Sequence, residues 1–293
     1  MNLTTHGMTE VLVLGATGMV GQAIMRESRE RGLSTVGAAR SEAEVLVDVT
    51  DDSGLINLLR AHPAATVINC AAVVSHADCE AQPDLAYRLN ARCVAIISET
   101  LRETGGRLVH ISTDQFFAGD GRAAHDESAP VRMLNEYGRS KYAGEQFALT
   151  GTQSLVVRTN VTGFRGDPSR PTFVEWAIKE IESGRPMELF DDFFTSTIDA
   201  PSFASALLDI ISLGHEGLIN VASSEVASKE EFILALARAI NAERPRYQTA
   251  SISGLQPPRG GSLGLDVSKA EGLLGRRLPI LQEVVEVLAE GNP

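Results

Sequence analysis

The sequence lacks the features that define several large classes of protein. Its 293 residues hold 26 lysines and arginines against 38 aspartates and glutamates, which gives a formal net charge of −12. A protein that binds nucleic acid needs a basic stripe to neutralise phosphates, and the sequence contains none, so we expect no nucleic-acid partner. The three cysteines, Cys70, Cys79 and Cys93, have no CxxC spacing and suggest neither a disulfide framework nor a zinc site.

Long apolar runs are also missing, and the polar N-terminal ten residues have no signal-peptide core. We therefore expect a cytoplasmic protein with no membrane partner. His76, His110 and His125 lack metal-ligand spacing, so we expect no metal and give them structural or surface roles. The hydrophobic fraction of 43% and the charged fraction of 22% are typical of an ordinary globular protein. The length of 293 residues predicts one large domain with a smaller appendage.

Short apolar runs alternate with amphipathic stretches through the first half of the chain. The runs that resemble strands are EVLVLG, LSTVGA, EVLVDV, ATVINCAA, RLVHIS and SLVVRT. Their near-continuous hydrophobicity is typical of strands covered by helices on both faces. We predict an α/β fold with a Rossmann-type, doubly wound parallel sheet.

The pattern changes near residue 160, where Gly- and Pro-containing loops begin to separate helices such as TFVEWAIKEIES and KEEFILALARAI. We predict that residues 1–160 form a dinucleotide-binding domain, to which later segments such as EGLINVAS return. Residues 161–293 are expected to form mainly a smaller α/β substrate-binding lobe.

The stretch VLVLGATGMVGQAI places Gly15, Gly18 and Gly21 between the first strand and the first helix. Glycine suits a tight turn, a close approach to a pyrophosphate and close packing of helix on strand, and the helix N-terminus offers N–H groups to the anion. The first gap is one residue longer than in G-x-G-x-x-G. A plain strand-to-helix turn is the alternative interpretation.

The end of the second strand bears on the choice of dinucleotide. Arg40 and Ser41 stand there, without the acidic residue that would bind a ribose 2′-hydroxyl. NADP is favoured and NAD is the second candidate, because an arginine can pair with a 2′-phosphate; a solvent-facing loop arginine is the alternative. Asp48, followed by Val49, is placed to contact the adenine or to cap the helix that starts near Asp52.

Two further segments carry candidate chemistry. In YGRSKYAGE, Tyr137 and Lys141 are four residues apart and share a helical face; an ammonium stabilises phenolate over phenol, which suits a proton donor or acceptor. A surface pair is the alternative.

In HISTDQFFAG, Thr113 and Asp114 follow a strand at the carboxyl edge, where open α/β sheets bind ligands. There the alternative is a simple Ser/Thr turn.

Taken together, GATGMVG, NCAA, STD and YGRSK resemble the extended short-chain dehydrogenase/reductases. Further blocks narrow the resemblance to the dTDP-4-dehydrorhamnose reductase family across nearly the whole chain. These blocks are VINCAAVVSHADCE, VHISTDQFFAG, LNEYGRSKYAGE, VVRTN, FDDFFTSTIDA, INVASSEVASKEEF and LGLDVSKAEGLLG. The resemblance implies NADPH-dependent reduction of the 4-keto group of a nucleotide-linked deoxysugar, and a homodimer as in some relatives.

The resemblance also implies roles for matching residues. Tyr137 would protonate the carbonyl oxygen as hydride arrives from the nicotinamide, Lys141 would tune that tyrosine and hold the nicotinamide ribose, and Thr113 would bind the same oxygen. Asp114 and Val161 would lie at the sugar. The cofactor would be held by Gly15, Gly18, Met19, Val20, Gly21, Arg40, Asp48, Val49, Cys70, Ala71, Ala72, Tyr137 and Lys141.

Departures from the family pattern bear on specificity. Gln115 and Val161 stand where a tyrosine and a tryptophan are common, and Thr195–Thr197 stands where a proline is common. Arg165, Arg170 and Arg259 are candidates for diphosphate contacts by charge alone, so we expect solvated surface arginines. Trp176 is expected to pack outside the site.

Three alternative functions are weighed against the reductase. A dehydratase fits less well, because such relatives carry a glutamate where Gln115 stands. An epimerase would use no net reductant. A non-catalytic regulatory subunit, like that of methionine adenosyltransferase, could keep the glycine turn; the presence of Thr113, Tyr137 and Lys141 favours catalysis.

Overall fold

The computed structural model describes residues 10–117, 119–151 and 153–291. The strands in this part of the chain are β1 (Val11–Leu14), β2 (Thr35–Ala39), β3 (Val45–Leu46), β4 (Thr66–Asn69), β5 (Arg107–Ile111), β6 (Ala124–His125), β7 (Ser154–Arg158), β8 (Val161–Thr162), β9 (Met187–Phe190), β10 (Phe194–Thr195), β11 (Ile198–Asp199), β12 (Gly217–Asn220), β13 (Ala227–Ser228), β14 (Tyr247–Ala250) and β15 (Ser262–Leu265).

The helices are α1 (Met19–Glu30), α2 (Asp52–Ala61), α3 (His76–Ala81), α4 (Pro83–Tyr87), α5 (Cys93–Thr104), α6 (Glu136–Leu149), α7 (Phe173–Ser183), α8 (Ala200–Ser212), α9 (Lys229–Ala239), α10 (Ser268–Leu274) and α11 (Leu281–Glu290). A π-helical segment, Arg88–Arg92, joins α4 to α5, and Ile252–Gly254 forms a 3₁₀ turn. No helix in the described ranges is long and apolar enough to cross a bilayer.

The chain divides into two compact units. The first contains the described residues up to Thr113, Asn135–Arg158 and Ala204–Ile219. The second contains Asp114–Leu134, Thr159–Phe203 and the described residues from Asn220 onward. Residues 114–134 therefore belong to the second unit, although they fall within residues 1–160, the predicted dinucleotide-binding domain.

The first unit is built on a seven-stranded parallel sheet in the order β12-β7-β5-β4-β1-β2-β3, which confirms the predicted Rossmann-type fold. Its strands are short and apolar, and leucines and valines of β1, β4 and β5 pack against α2 and α5 in one core. The register pairs Leu14 with Asn69 and Asn69 with His110. The residues that follow β1, β4 and β5 therefore emerge together at one edge of the sheet.

The second unit combines a four-stranded sheet, β13-β10-β15-β6, with the two-stranded sheets β11-β8 and β14-β9. Its core is formed by apolar faces of α7, α9 and α11. Thr172 and Ser228 begin α7 and α9 with complete capping boxes, so sequence and structure agree on both helix starts.

Two predicted elements differ in the structure. The strand predicted over EVLVDV is limited to Val45–Leu46, because the Asp48 side chain accepts hydrogen bonds from Thr50 N and Oγ1 and turns the chain. The stretch PDLAYRLNARCVAIISETLRETGG has apolar residues at helical spacing, which predicts one helix, but the π-helical segment interrupts it between α4 and α5.

A buried ion pair fixes α6 to the neighbouring β7. Arg158 Nη2 and Nε donate to the Glu145 carboxylate at 2.9 and 3.0 Å, and the side chains are only 4% and 0% exposed. A charge left alone in such a place is costly, because neither water nor a partner solvates it. The pair therefore holds the helix that carries Tyr137 and Lys141.

We expect Glu145→Ala to lower the free energy of unfolding by about 3 kcal/mol or more, since it leaves Arg158 buried without its carboxylate. Glu103→Ala is the matched control, because the Arg60–Glu103 pair has a similar 3.0 Å distance on an exposed surface. This control substitution should lower the free energy of unfolding by less than about 1 kcal/mol. Urea unfolding of both variants measures the difference, and equal losses would contradict the structural role of the buried pair.

Candidate active site

The glycine turn after β1 has a backbone that only glycine accommodates at two of its three positions. Gly15 has φ +78°, and a Cβ there would lie 2.8 Å from Ala71 N. A Cβ on Gly21 would lie 2.2 Å from Gly15 O. The turn, the first helical turn and the segment after β4 are therefore packed backbone against backbone.

The N-terminus of α1 opens at this turn. Gly18 is its N-cap residue and provides no side-chain acceptor. The N–H groups of Met19, Val20 and Gly21 have no hydrogen-bond acceptor among the described residues. Unpaired N–H groups at a helix start, with the positive end of the helix dipole, bind phosphates well.

The two residues expected to read the adenosine half of a dinucleotide lie near each other at the sheet edge. Arg40 directly follows β2, is exposed and makes no hydrogen bond or ion pair with the described residues. The hydrogen bonds from Thr50, with a smaller contribution from Arg40, lower the pKa of Asp48. Asp51 rather than Asp48 caps α2, accepting from Ser53 N, so the capping alternative for Asp48 is wrong. Val49 is buried.

Tyr137 lies in the first turn of α6. Asn135 caps that helix by accepting from Gly138 N at 2.8 Å. The tyrosine is 8% exposed, packs with Cys79 and has its ring centroid 4.8 Å from that of His76. It is a buried side chain, which excludes the surface-pair alternative for Tyr137 and Lys141.

Lys141 is buried one turn later. Its Nζ donates to Ile111 O at 2.7 Å, at the carboxyl end of β5 and two residues before Thr113. Burial lowers the pKa of Lys141 to about 8. Burial also raises the pKa of the Cys70 and Cys93 thiols to about 12, so both are neutral, unreactive neighbours of the ammonium.

Asn90, which the sequence analysis did not single out, ties α6 to the segment that follows β4. Its side chain accepts from Val73 N at 2.9 Å and donates to Val73 O at 3.1 Å and to Ser140 Oγ at 3.0 Å. A Cβ on Gly144 would lie 2.1 Å from Asn90 O, so this glycine permits the close approach of α6. The π-helical segment places Asn90 there, and no apolar period signals such a segment in advance.

The remaining predicted substrate residues lie as follows. Thr113 is buried in the first unit, two residues after the end of β5. Asp114 is buried in the second unit, where its two oxygens accept from Gln115 Nε2 at 2.9 Å and Asn160 Nδ2 at 2.5 Å. Val161 begins β8, which pairs with β11.

The expectation for Arg259 is wrong. It is half-buried rather than a solvated surface residue, its buried Nε has no hydrogen-bond partner among the described residues, and burial lowers the pKa of its guanidinium. The other two candidate arginines have partners within the protein. Arg165 donates to Arg170 O, and Arg170 pairs with Asp167 at 3.1 Å. Trp176 is partly exposed on α7, and its ring packs near that of Phe173.

Two features together define the class of dinucleotide-dependent short-chain oxidoreductases. One is a parallel sheet with a glycine turn after its first strand, and the other is a buried Tyr-x-x-x-Lys helix beside β5. The chain matches the family "RmlD substrate binding domain" over residues 8–288. It therefore belongs to this family of extended short-chain dehydrogenase/reductases, which are NAD(P)-dependent sugar-nucleotide reductases. The predicted family and enzyme class are confirmed.

Three relatives illustrate the similarity. A probable low-salt glycan biosynthesis reductase of Haloferax volcanii is 29% identical, with 94% of this chain and 96% of the relative covered. The β subunit of methionine adenosyltransferase 2 of Mus musculus is 27% identical, over 95% of this chain and 86% of the relative. The structure of a Bacillus anthracis dTDP-4-dehydrorhamnose reductase in complex with NADP is 24% identical, covers 98% of this chain and 100% of its own, and has a TM-score of 0.88.

We expect Gly21→Ala to weaken NADPH binding by about tenfold or more, because the new methyl group would displace the Gly15 carbonyl and with it the turn. Gly272→Ala is the matched control, since this helical glycine in α10 has open space around its Cα. Fluorescence titration with NADPH gives both affinities. An unchanged affinity in Gly21→Ala would show that the turn does not hold the dinucleotide.

Proposed function

We propose that the protein reduces the 4-keto group of a nucleotide-diphosphate 6-deoxysugar with NADPH, and that Tyr137 supplies the proton. The observation that carries the proposal is the burial of the Lys141 ammonium against Ile111 O, on the helical face that also carries Tyr137. A buried ammonium beside a buried phenol stabilises the negative charge that develops on the phenol oxygen as it loses its proton.

The residues at the glycine turn fit a dinucleotide. The N–H groups of Met19, Val20 and Gly21 have no acceptor among the described residues, and a pyrophosphate offers the acceptors that they lack. The exposed guanidinium of Arg40 suits a 2′-phosphate, which supports NADPH over NADH. The B. anthracis relative of the same fold is described in complex with NADP.

Bound NADPH would supply the hydride, and the chain would supply the proton and the orientation. Tyr137 would donate its hydroxyl proton to the carbonyl oxygen, with Lys141 offsetting the phenolate charge. Thr113 would donate a hydrogen bond to the same oxygen and so fix the carbonyl. Gly15 and Gly18 would form the turn, while Cys70, Ala71 and Ala72 would border the cofactor from the end of β4.

The second unit would bind the rest of the substrate. Arg259 has a half-buried guanidinium whose Nε has no hydrogen-bond partner in the part of the chain that the structure describes, and a diphosphate would provide acceptors for it. Asp114 and Val161 would contact the sugar. Gln115 is an amide and so exchanges no proton, which argues against a dehydratase.

Two other functions are distinguishable by experiment. An epimerase would interconvert sugars without consuming added NADPH. A regulatory subunit is favoured by the similarity to the β subunit of methionine adenosyltransferase 2 over 95% of this chain. Such a protein would bind the dinucleotide, reduce no keto-sugar and co-purify with a catalytic partner in constant ratio.

We expect wild-type protein to oxidise NADPH with at least one member of a panel of nucleotide-linked 4-keto-6-deoxysugars. Tyr137→Phe should lower kcat by about a hundredfold or more, because it removes the proton donor and keeps the ring. NADPH affinity serves as the control and should change little. Turnover by Tyr137→Phe at the wild-type rate would reject the assigned role.

We expect Arg40→Ala to raise the KM for NADPH by about tenfold while leaving the KM for NADH nearly unchanged, because only NADPH has the 2′-phosphate. Arg88→Ala is a suitable control, since Arg88 is another exposed arginine whose charge acts on Asp48. Steady-state kinetics with each cofactor measure the ratio. Equal losses for the two cofactors would mean that Arg40 does not read the 2′-phosphate.

A further inference from the structure

A chain of four side chains joins a cation to a carboxylate inside the second unit. Lys229 Nζ donates to Thr197 Oγ1 at 3.3 Å, and Thr197 Oγ1 donates to Asn160 Oδ1 at 3.1 Å. Asn160 Nδ2 then donates to Asp114 Oδ2 at 2.5 Å. We name this chain, from Lys229 through Thr197 and Asn160 to Asp114, the Lys–Asp relay.

The two ends of the relay fix the direction of every hydrogen bond between them. An ammonium only donates and an ionised carboxylate only accepts. Thr197 therefore uses its single O–H to donate a hydrogen bond to Asn160. The Thr195 hydroxyl, 2.9 Å from that of Thr197, must then donate to it. The three hydrogen-bonding positions of the Thr197 hydroxyl are then filled, and the amide of Asn160 has only one orientation that satisfies both neighbours.

Lys229 is held at its end of the relay by aromatic rings. Its Nζ lies 4.7 Å from the ring centroid of Phe173, 5.7 Å from that of Phe232 and 5.8 Å from that of Phe193. These faces attract the ammonium and keep water away from it. The hydrogen bond to Thr197 is the single hydrogen bond of Nζ among the described residues.

The charges around Lys229 agree with this arrangement. Burial lowers the pKa of Lys229 to about 8. The negative charge of Asp114 raises this pKa, and the positive charge of Arg259 lowers it. No carboxylate lies in direct ion-pair contact with Lys229 among the residues described. Asp114 is 1% exposed and Thr197 4% exposed, so the relay connects the two charges through a poorly solvated interior.

We propose that Lys229 is a positioning residue for Asp114, acting through Thr197 and Asn160, and thereby sets the affinity for the sugar. This inference rests on the proposed function, in which Asp114 accepts a hydrogen bond from the sugar. A carboxylate with one oxygen held by Gln115 and the other by the relay has a fixed orientation. A carboxylate held in one orientation can select a hydroxyl at one position of the ring.

The Thr197 position separates this role from a direct contact between Lys229 and the substrate. Thr197→Val keeps the shape and removes the hydroxyl, whereas Thr197→Ser keeps the hydroxyl. We expect Lys229→Met and Thr197→Val each to raise the KM for the keto-sugar about tenfold to a hundredfold, with a smaller change in kcat and none in the KM for NADPH. Thr197→Ser should restore most of the affinity.

The double variant Lys229→Met, Thr197→Val should be no worse than either single variant, because each already breaks the same chain. Lys179→Met, at an exposed lysine on α7, is the matched control. A normal KM in Thr197→Val together with a raised KM in Lys229→Met would overturn the relay and leave Lys229 as a direct ligand contact.

A second measurement needs no substrate and therefore stands if the proposed function fails. Asp114→Asn and Lys229→Met each leave one end of the relay without its opposite charge, so each should lower Tm. The double variant removes both charges, and its Tm should lie above the value given by adding the two single losses. Strictly additive losses would overturn the coupling, whereas absence of turnover in the wild type would reject only the proposed reductase.

Discussion

The hydrogen bond from the buried Lys141 ammonium to Ile111 O is the contact on which the rest of the first unit's site depends. It joins the helix α6 to the end of β5 and places a cation where water is largely excluded. A buried ammonium is tolerated only where the surrounding structure holds it, and here the Arg158–Glu145 pair and the close approach at Gly144 hold the helix. Tyr137 takes its position from the same helix.

The same principle applies at the other polar positions. At the glycine turn, backbone groups approach so closely that Gly21 has no room for a side chain, and the first N–H groups of α1 are left for an anion. In the second unit, Asp114 accepts hydrogen bonds from Gln115 and from Asn160, and Asn160 is itself oriented by Thr197. In each case, a polar group that we propose to meet a ligand is fixed by contacts within the protein.

The sequence supported the prediction of the fold and the family in some detail. Apolar runs of strand length separated by amphipathic stretches are a local signal, and they predicted the parallel sheet that the structure confirms. The order of the glycine turn, the STD segment and the Tyr-x-x-x-Lys helix predicted the family, because each motif is short and contiguous. The π-helical segment and the burial of Arg259 were missed, because neither leaves a periodic pattern in the sequence.

By itself, the sequence determined the order of most strands and helices and indicated which residues are candidates for chemistry, since these depend on local pattern and spacing. Tertiary structure alone decided which of them are buried and which partners they have. Lys141 meets a carbonyl 30 positions away, and Lys229 is connected to Asp114 through residues from two other segments. Such pairings depend on how distant strands and helices pack, and the free energy of a buried charge is set by that packing rather than by its neighbours in the chain.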